Sequence, residues 1–428
     1  MNNERKVGMK KAAHTHIKSC SVIVACLTAL VCSSQPNPLH APTGIYIRSE
    51  LNKIELLGDR GSWHGYQDKL DRLIFDGRGK INIVQIGGSH IQADMWSMQM
   101  RDRLQRLVPG VRGSRGFIFP YNIAKSNNPY WYFPEFTGNW TSIKNTKKED
   151  EGALGLAGYA VTTHDTIASL NISFRGDMYG RYTFDRIKVL HRQDSSFSID
   201  AFTRDTTISI IKVVNQEKGY TEFFYSAQVD TLNLNIHQEN KDQLRFTLYG
   251  IIMENEDPGV IYHACGVNGA STTSWLRCER LSEELDLLDP DLVIFSIGIN
   301  DAHDSEFSES RYKSNYKELI RRVRSVAPNA AILLTTNTDS YVNRKVPNKN
   351  ADSVRRVMQQ LSAEEGAAIW DTFGVMGGEG SIRTWEEAGL AKKDRVHFNR
   401  AGYTVLGDLL FSALIESYGD HIRKESRP

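Results

Sequence analysis

Short apolar runs alternate with helix-like segments in two separate parts of the chain. The run INIVQI at residues 81–86 meets a Gly-Gly pair and is followed by apolar residues at helical spacing, from Ile91 to Leu107. The same alternation returns in four later apolar runs, at residues 260–265, 291–297, 331–335 and 367–370. Buried strands that alternate with helices are typical of parallel sheets covered on both faces. The pattern therefore predicts an α/β fold with a doubly wound parallel sheet.

Between these two parts, from about Ala160 to Glu254, the apolar period changes from helical to two. The alternating apolar positions are Leu170, Ile172 and Phe174, then Leu232, Leu234 and Ile236, then Leu244, Phe246 and Leu248. This period indicates antiparallel strands with one solvated face. We therefore predict an antiparallel β-sandwich domain inserted into the α/β domain. The predicted ranges are 45–125 and 257–420 for the two α/β parts and 126–256 for the insert.

The first 35 residues have the pattern of a secretory leader, which predicts a signal peptide at residues 1–35. Several lysines precede an apolar run from Cys20 to Cys32, and the run gives way to SSQPNP. The run is shorter than the ~18 residues of a membrane span. Cys26 and Cys32 each follow apolar residues, so a lipid anchor stays an alternative. We expect an exported protein, periplasmic or associated with the cell envelope.

Charge and cysteine content narrow the function further. A formal net charge of +1 provides no overall field for nucleic acid or anionic lipid, so neither partner is expected. Beyond the leader only Cys265 and Cys278 remain, too few for a disulfide scaffold or a zinc site; pairing and free thiols both stay open. His303 and Asp304 could suggest a metal pair, but no metal-binding spacing surrounds them. We predict neither a metal nor a cofactor.

Two polar positions suggest nucleophilic catalysis. Ser89 follows a predicted strand and opens a helix, and Asp394 and His397 stand three residues apart before the last predicted helix. At that spacing the carboxylate can orient the imidazole, which can in turn activate a serine. A serine that only caps a helix, or an aspartate that caps the last one, is the alternative.

Two further positions follow predicted strands and could stabilise an oxyanion. Asn300 lies in Gly-Ile-Asn-Asp directly after the run at 291–297, and Gly269 lies in Val-Asn-Gly-Ala-Ser. Ligands of open α/β sheets gather at the carboxyl ends of the strands. There the asparagine amide and a glycine N–H could donate to developing negative charge. Ordinary turn residues would have the same composition.

The four blocks GGS, NGAS, GIND and D-x-x-H occur in the order that resembles the SGNH hydrolase family. The resemblance covers the two α/β parts and not the β region. It implies Ser89 as nucleophile, His397 as base and Asp394 as the group that orients it. It also implies an oxyanion hole formed by Gly269, Asn300 and the Ser89 amide. The family's first block is usually Gly-Asp-Ser, so Gly88 is a departure that affects the loop more than the triad.

Longer strings narrow the resemblance. IVQIGGSHIQADMWS, YHACGVNGAS and VHFNRAGY, together with the β-rich region, resemble bacterial peptidoglycan O-acetylesterases, which are similar in carrying a sandwich like a carbohydrate-binding domain. The resemblance implies an exported serine esterase that removes O-acetyl groups from a cell-wall glycan. An O-acetyltransferase with the same triad, or a glycan-binding protein with an inactive SGNH domain, is the alternative.

Aromatic residues are dense in PYWYFPEFTGNW, residues 129–140. Because aromatic faces stack on sugar rings, Trp131, Tyr132 and Trp140 are candidate glycan contacts, as is His90 next to the serine. The alternative for the aromatic residues is that they fill the seam between the two predicted domains.

Overall fold

The computed structural model describes residues 41–58, 60–175 and 182–425. The described chain from Ala41 onward belongs to one compact unit. The predicted signal peptide and its cysteines lie outside these residues. Within the described ranges, no helix is both long enough and apolar enough to cross a bilayer.

The elements are numbered in chain order. The strands are β1 Ile54–Leu56, β2 Lys80–Gly87, β3 Gly116–Ile118, β4 Tyr132–Phe136, β5 Trp140–Lys144, β6 Tyr159–Thr163, β7 Ile167–Phe174, β8 Phe184–His191, β9 Ser198–Ala201, β10 Ile210–Asn215, β11 Tyr220–Val229, β12 Thr231–His237, β13 Phe246–Glu254, β14 Gly259–Gly266, β15 Leu292–Ser296, β16 Ala331–Thr335, β17 Tyr341–Val342, β18 Val346–Pro347 and β19 Ala368–Trp370. The α-helices are α1 Gly61–Asp76, α2 Ser89–Gln92, α3 Met95–Gln105, α4 Thr272–Leu276, α5 Leu281–Asp286, α6 Ile299–Ala302, α7 Glu309–Arg324, α8 Asn350–Glu365, α9 Thr372–Val375, α10 Ser381–Glu387 and α11 Arg400–Glu425.

The central sheet has six strands in the order β1-β19-β16-β15-β2-β14. All neighbours pair in parallel except β1, which runs antiparallel to β19 at the edge. The sheet is therefore mixed, a correction to the all-parallel prediction. The three residues of β1 are only half-buried, so no buried apolar run in the sequence indicated this strand.

Helices cover both faces of this sheet because side chains of each strand alternate between two hydrophobic clusters. Ile81 and Ile83 pack with buried residues of α1, α3 and α11. Val84 and Ile86 point to the other cluster, which includes buried residues of α7 and α8 and of the antiparallel strands. The parallel strands and the two-sided covering confirm the predicted α/β architecture.

Two antiparallel sheets follow the first helices. One contains β10-β11-β8-β13-β6-β5 with β3 on β13, and the other contains β4-β7-β12-β9. Buried residues of both sheets share one hydrophobic cluster, for example Leu170 and Leu234 with Ile187 and Leu248. β3 lies within the range predicted for the first α/β part, yet it pairs with β13. Leu244 is 56% exposed and precedes β13, so its predicted place in a strand was wrong.

The segment after Ser89 was predicted as one helix, but the chain forms two, α2 and α3. Asp94 separates them with a left-handed φ of 51°. Its carboxylate is buried together with the guanidinium groups of Arg101 and Arg115, which form ion pairs with it. These long-range contacts stabilise the break, because a buried carboxylate needs such partners. Because of this break, Ser89 lies on a short separate helix, α2, at the carboxyl end of β2.

Candidate active site

The structure brings Ser89, His397 and Asp394 together, although the serine and the histidine are 308 positions apart. Ser89 follows β2, and the other two residues lie in the loop before α11. The Ser89 Oγ lies 2.8 Å from His397 Nε2, and His397 Nδ1 lies 3.0 Å from Asp394 Oδ2. A hydroxyl bonded to an imidazole that a carboxylate orients is the arrangement that activates a serine.

Asp394 is fixed by more than the imidazole. Its Oδ1 accepts hydrogen bonds from the Val396 amide at 3.0 Å and from the His397 amide at 2.9 Å. Burial raises the pKa of Asp394, but these bonds and the one from the imidazole outweigh it, and the net pKa lies below the usual value. The carboxylate is therefore ionised at neutral pH. The side chains of His397 and Asp394 keep 35% and 34% exposure, so a solvent-borne substrate can reach them.

Gly269 and Asn300 belong to loops that contact Gly88, the residue before the serine. Asn300 Nδ2 donates one hydrogen to Ala270 O at 2.9 Å, which leaves its second hydrogen available. The same nitrogen lies against Gly88, since a Cβ at that glycine would be 3.1 Å from it. Gly269 has a left-handed φ of 83°, and its N–H donates to no acceptor among the described residues. Both groups line a cleft of about 410 Å³. Such donors can stabilise a tetrahedral oxyanion.

Asp301 joins the loops that carry these two donors. Its carboxylate accepts from the Thr272 amide at 3.1 Å and from the Thr272 hydroxyl at 2.6 Å. Burial raises the pKa of Asp301 to about 6, against the effect of the Thr272 hydrogen bonds. Asp301 thereby links its own loop to the start of α4.

His90 is turned away from solvent. It is 7% exposed, its Nδ1 lies 2.8 Å from the Tyr403 hydroxyl, and its ring centre lies 5.4 Å from that of His397. Burial, together with the nearby His397, lowers the pKa of His90 to about 3. A neutral, buried His90 supports the packing of the catalytic loop, and it offers little surface to a glycan.

The predicted aromatic glycan contacts lie elsewhere. Trp131 and Tyr132 are only 3% and 2% exposed. The Trp131 indole N–H donates to Asp94 O, and the Tyr132 hydroxyl donates to Phe119 O. Trp131 packs with Met98 of α3, which fits the seam interpretation. Trp140 is half-buried and lies on β5, with its ring against Phe246. The predicted stacking of Trp131 and Tyr132 on a glycan is therefore corrected, since both side chains are covered.

Sequence reasoning missed Gln92 and Tyr403. The Gln92 carboxamide accepts from the Asn268 amide at 2.6 Å and donates to Ser126 Oγ at 2.9 Å, so it connects the serine helix to the loop that carries Gly269. Tyr403 holds His90. Gln92 stands three residues after Ser89, and a polar residue in the first turn after the nucleophile was the signal available.

Two residue groups bear on metals and thiols. His303 Nε2 lies 3.0 Å from Ser340 Oγ. Among the described residues, the side chains of Asp68, Asp71 and His421 come within 4.8 Å of one another. His421 Nε2 lies 3.3 Å from Asp68 Oδ1 and 3.6 Å from Asp71 Oδ2. Cys265 and Cys278 are buried free thiols, so the pairing alternative is wrong.

The chain is similar to known proteins in part of its sequence and in its fold. Residues 251–405 match the GDSL-like lipase/acylhydrolase family. A solved structure described as "Peptidoglycan O-acetylesterase in action, 5 min" is 22% identical, with a TM-score of 0.68, over 86% of this chain and 99% of that one.

Shorter alignments include a lipase/acylhydrolase from Enterococcus faecalis, with 24% identity over 39% of this chain and 78% of that one and a TM-score of 0.30. A catalytic mutant of Axe2, an acetylxylan esterase from Geobacillus stearothermophilus, is 23% identical over 36% and 73% with a TM-score of 0.31. None of the curated proteins compared with the chain matches it.

The long alignment shows that this chain shares the fold of that structure, and the family match covers the blocks that carry Gly269, Asn300, Asp394 and His397. From residue 251 to residue 405 the chain is thus similar to the GDSL-like lipase/acylhydrolase family.

Proposed function

We propose that this protein is an esterase that removes O-acetyl groups from a cell-wall glycan, most simply peptidoglycan, with Ser89 as nucleophile and His397 and Asp394 as its activating pair. The observation that carries the proposal is the continuous hydrogen-bond chain from the serine to the carboxylate, at 2.8 and 3.0 Å. If Ser89 only capped a helix and His397 were an ordinary surface residue, no hydrogen bond between the two would be expected.

In the proposed reaction, His397 Nε2 takes the Ser89 proton while Oγ bonds to the acetyl carbonyl carbon. The Ser89 and Gly269 amides and Asn300 Nδ2 stabilise the resulting oxyanion. The C–O bond to the sugar then breaks, and the imidazolium returns its proton to the leaving sugar hydroxyl. A water molecule, deprotonated by the same imidazole, attacks the acetyl-enzyme, and acetate leaves. Water is the only co-substrate of the proposed reaction.

The glycan part of the proposal draws on the β region. We propose that residues 126–256 are a β-sandwich insert that holds carbohydrate. The outer face of the four-stranded sheet aligns Glu135, Asn171 and Asn233 in one register row. These residues line a cleft of about 640 Å³. Carboxylates and carboxamides in a row can bond sugar hydroxyls. The protein of the long structural match, described as a peptidoglycan O-acetylesterase, supports the same substrate class.

Export is part of the same proposal, because a cell-wall substrate lies outside the cytoplasm. The lysine-rich start and the apolar run before residue 35 support it. Fractionation of cells that produce the full chain, with sequencing of the mature N-terminus, tests the cleavage. A protein that stays in the cytoplasm with its first residues intact would contradict export.

The decisive experiment measures acetate released from O-acetylated peptidoglycan by wild type, Ser89→Ala and the matched surface variant Ser310→Ala. Wild type and Ser310→Ala should release acetate and be labelled by a fluorophosphonate, whereas Ser89→Ala should do neither. Equal release by Ser89→Ala would refute the assignment. Repeating the assay with an acceptor glycan separates hydrolysis from transfer, since a transferase would yield acetylated acceptor in place of free acetate.

A further inference from the structure

The segment at residues 126–131 lies along the candidate active site. At one end, the Asn127 side chain accepts a hydrogen bond from the carboxamide of Asn268, directly before the oxyanion glycine. At the other end, Trp131 Nε1 donates to Asp94 O at 2.8 Å, at the end of the serine turn. The segment is thus bonded both to the loop that carries Gly269 and to the end of the turn that carries Ser89.

Tyr130 is the exposed aromatic residue of this segment, with 45% of its surface free. The Arg175 guanidinium carbon lies 4.4 Å from its ring centre, and that of Arg400 lies 5.7 Å from it. Both distances fall within the range of cation–π contacts. Arg400 opens α11 three residues after His397, so the ring stands beside the histidine side of the site.

Two exposed cations, Arg175 and Lys392, lie on this side of the site. Arg175 is exposed, and among the described residues its guanidinium makes no ion pair with a carboxylate. Lys392 is also exposed, and its backbone amide donates to His397 O at 2.7 Å, which locates it on the catalytic loop. The side chain of Arg175 is thus available to an anionic ligand next to the loop that carries His397.

Stacking on Tyr130 orients the Arg175 guanidinium and leaves its N–H edge open to a planar anion. Arginine binds carboxylates through that edge in two parallel hydrogen bonds, and the stacked ring reduces the entropy lost on binding. Tyr130 alone would offer a sugar face, but its ring is shared by two guanidinium groups. The arrangement of Tyr130 and the two arginines therefore favours an anionic substituent on the sugar over an uncharged sugar ring.

We propose that Tyr130 and Arg175, with Arg400 bracing the ring, form a subsite that binds a carboxylate on the glycan that carries the ester. The inference rests on the proposed function and names its substrate class: an acetylated sugar with an anionic substituent. The carboxylate can belong to a peptide attached to the sugar or to a uronic acid. The chemistry recognised is the same in both.

The test compares two acetylated substrates that differ only in the carboxylate, one free and one converted to the amide. Wild type should show a KM about tenfold lower for the free carboxylate. Arg175→Glu should remove this preference by raising KM for the carboxylate substrate alone, with kcat unchanged. Arg175→Lys should keep part of it, because charge remains without the stacked fork. Arg321→Glu, on the exposed face of α7, is the matched control and should behave as wild type.

Parallel arms with an acetylated peptide-bearing sugar and an acetylated uronate oligosaccharide identify the source of the carboxylate. Equal changes on the acid and amide substrates, or no change, in Arg175→Glu would overturn the subsite. Binding of the deacetylated carboxylate sugar to Ser89→Ala protein, with and without Arg175→Glu, tests the subsite without catalysis. Failure of the proposed function shows separately, as p-nitrophenyl acetate hydrolysis that survives Ser89→Ala.

Discussion

A single added methyl group at Gly88 should displace an oxyanion donor. The Cβ of Gly88→Ala would lie 3.1 Å from Asn300 Nδ2 and 3.6 Å from Ala270 O, and the first distance is shorter than the 3.4–4 Å of ordinary contact. Gly88 has φ −92°, outside the left-handed region that favours glycine, so the close approach to Asn300 is the effect that the structure shows for the added methyl group.

The size of the effect follows from what Asn300 does. Its amide is held by Ala270 O at 2.9 Å, so a shift of a few tenths of an ångström misaligns the second hydrogen. Losing one oxyanion donor lowers kcat by about 10²–10³, equivalent to about 2.7–4 kcal/mol of transition-state stabilisation. We expect Gly88→Ala to lose about tenfold in kcat, with the loss in Asn300→Ala as its upper limit.

Steady-state hydrolysis of an acetyl ester by wild type, Gly88→Ala, Asn300→Ala and the double variant measures the coupling. If the methyl acts through the amide, the double variant should be no slower than Asn300→Ala alone. Gly65→Ala on α1 is the matched control, because no atom lies within 4 Å of its added Cβ. Urea unfolding should give similar stability for Gly88→Ala and wild type.

Two outcomes would refute this reasoning. Full activity of Gly88→Ala would mean that the asparagine does not need its present position. Losses that add in the double variant would mean that the methyl group acts on something other than Asn300.

Three further predictions concern individual side chains. His90 and His263 have pKa values lowered to about 3 by burial, so the unfolded chain binds more protons than the folded one below about pH 6.5, and stability should fall as pH drops from 6.5 towards 3. Urea titrations at several pH values should show this slope, and His263→Gln should reduce it; an unchanged slope would contradict the assignment. Trp131→Phe removes the buried hydrogen bond from the indole N–H to Asp94 O. Calorimetry should therefore show a free energy of unfolding lower by about 0.5–1.5 kcal/mol, with unchanged substrate preference. Altered glycan selectivity would instead support a stacking role for Trp131. Asp394→Asn should lower kcat by up to about 10⁴-fold with little change in KM, because the amide no longer holds the imidazole in the required tautomer; a rate near wild type would remove Asp394 from the triad.

The sequence by itself determined the parallel sheet and the meeting of Ser89 with His397. Apolar runs such as 81–86 and 331–335 are buried on both faces, so they could be recognised without their neighbours. Polar residues that follow such strands collect at one edge of the sheet whatever the length of chain between them. This argument covers Ser89 and Asn300. The meeting of Ser89 with Asp394 and His397, which lie two helices beyond the last strand, was implied by the resemblance of the block order to the SGNH hydrolase family.

Only the tertiary structure decided which aromatic residues are covered. Trp131 and Tyr130 are neighbours in the same aromatic string, yet the first is 3% exposed and the second 45%. The difference arises because the Trp131 indole packs against Met98 and donates to the Asp94 carbonyl, whereas Tyr130 contacts the Trp131 ring and arginine side chains from distant parts of the chain. Such partners depend on how the segments pack, and local periodicity contains no information about them.

The same holds for β1 and for the break at Asp94. β1 is a short, half-buried strand that pairs only through β19, and Asp94 adopts a left-handed conformation that Arg101 and Arg115 stabilise. Local patterns in a sequence report burial and period, which are properties of each segment. Antiparallel edges, buried ion pairs and exposed cation–aromatic contacts are properties of pairs of segments, and they exist only after the chain has folded.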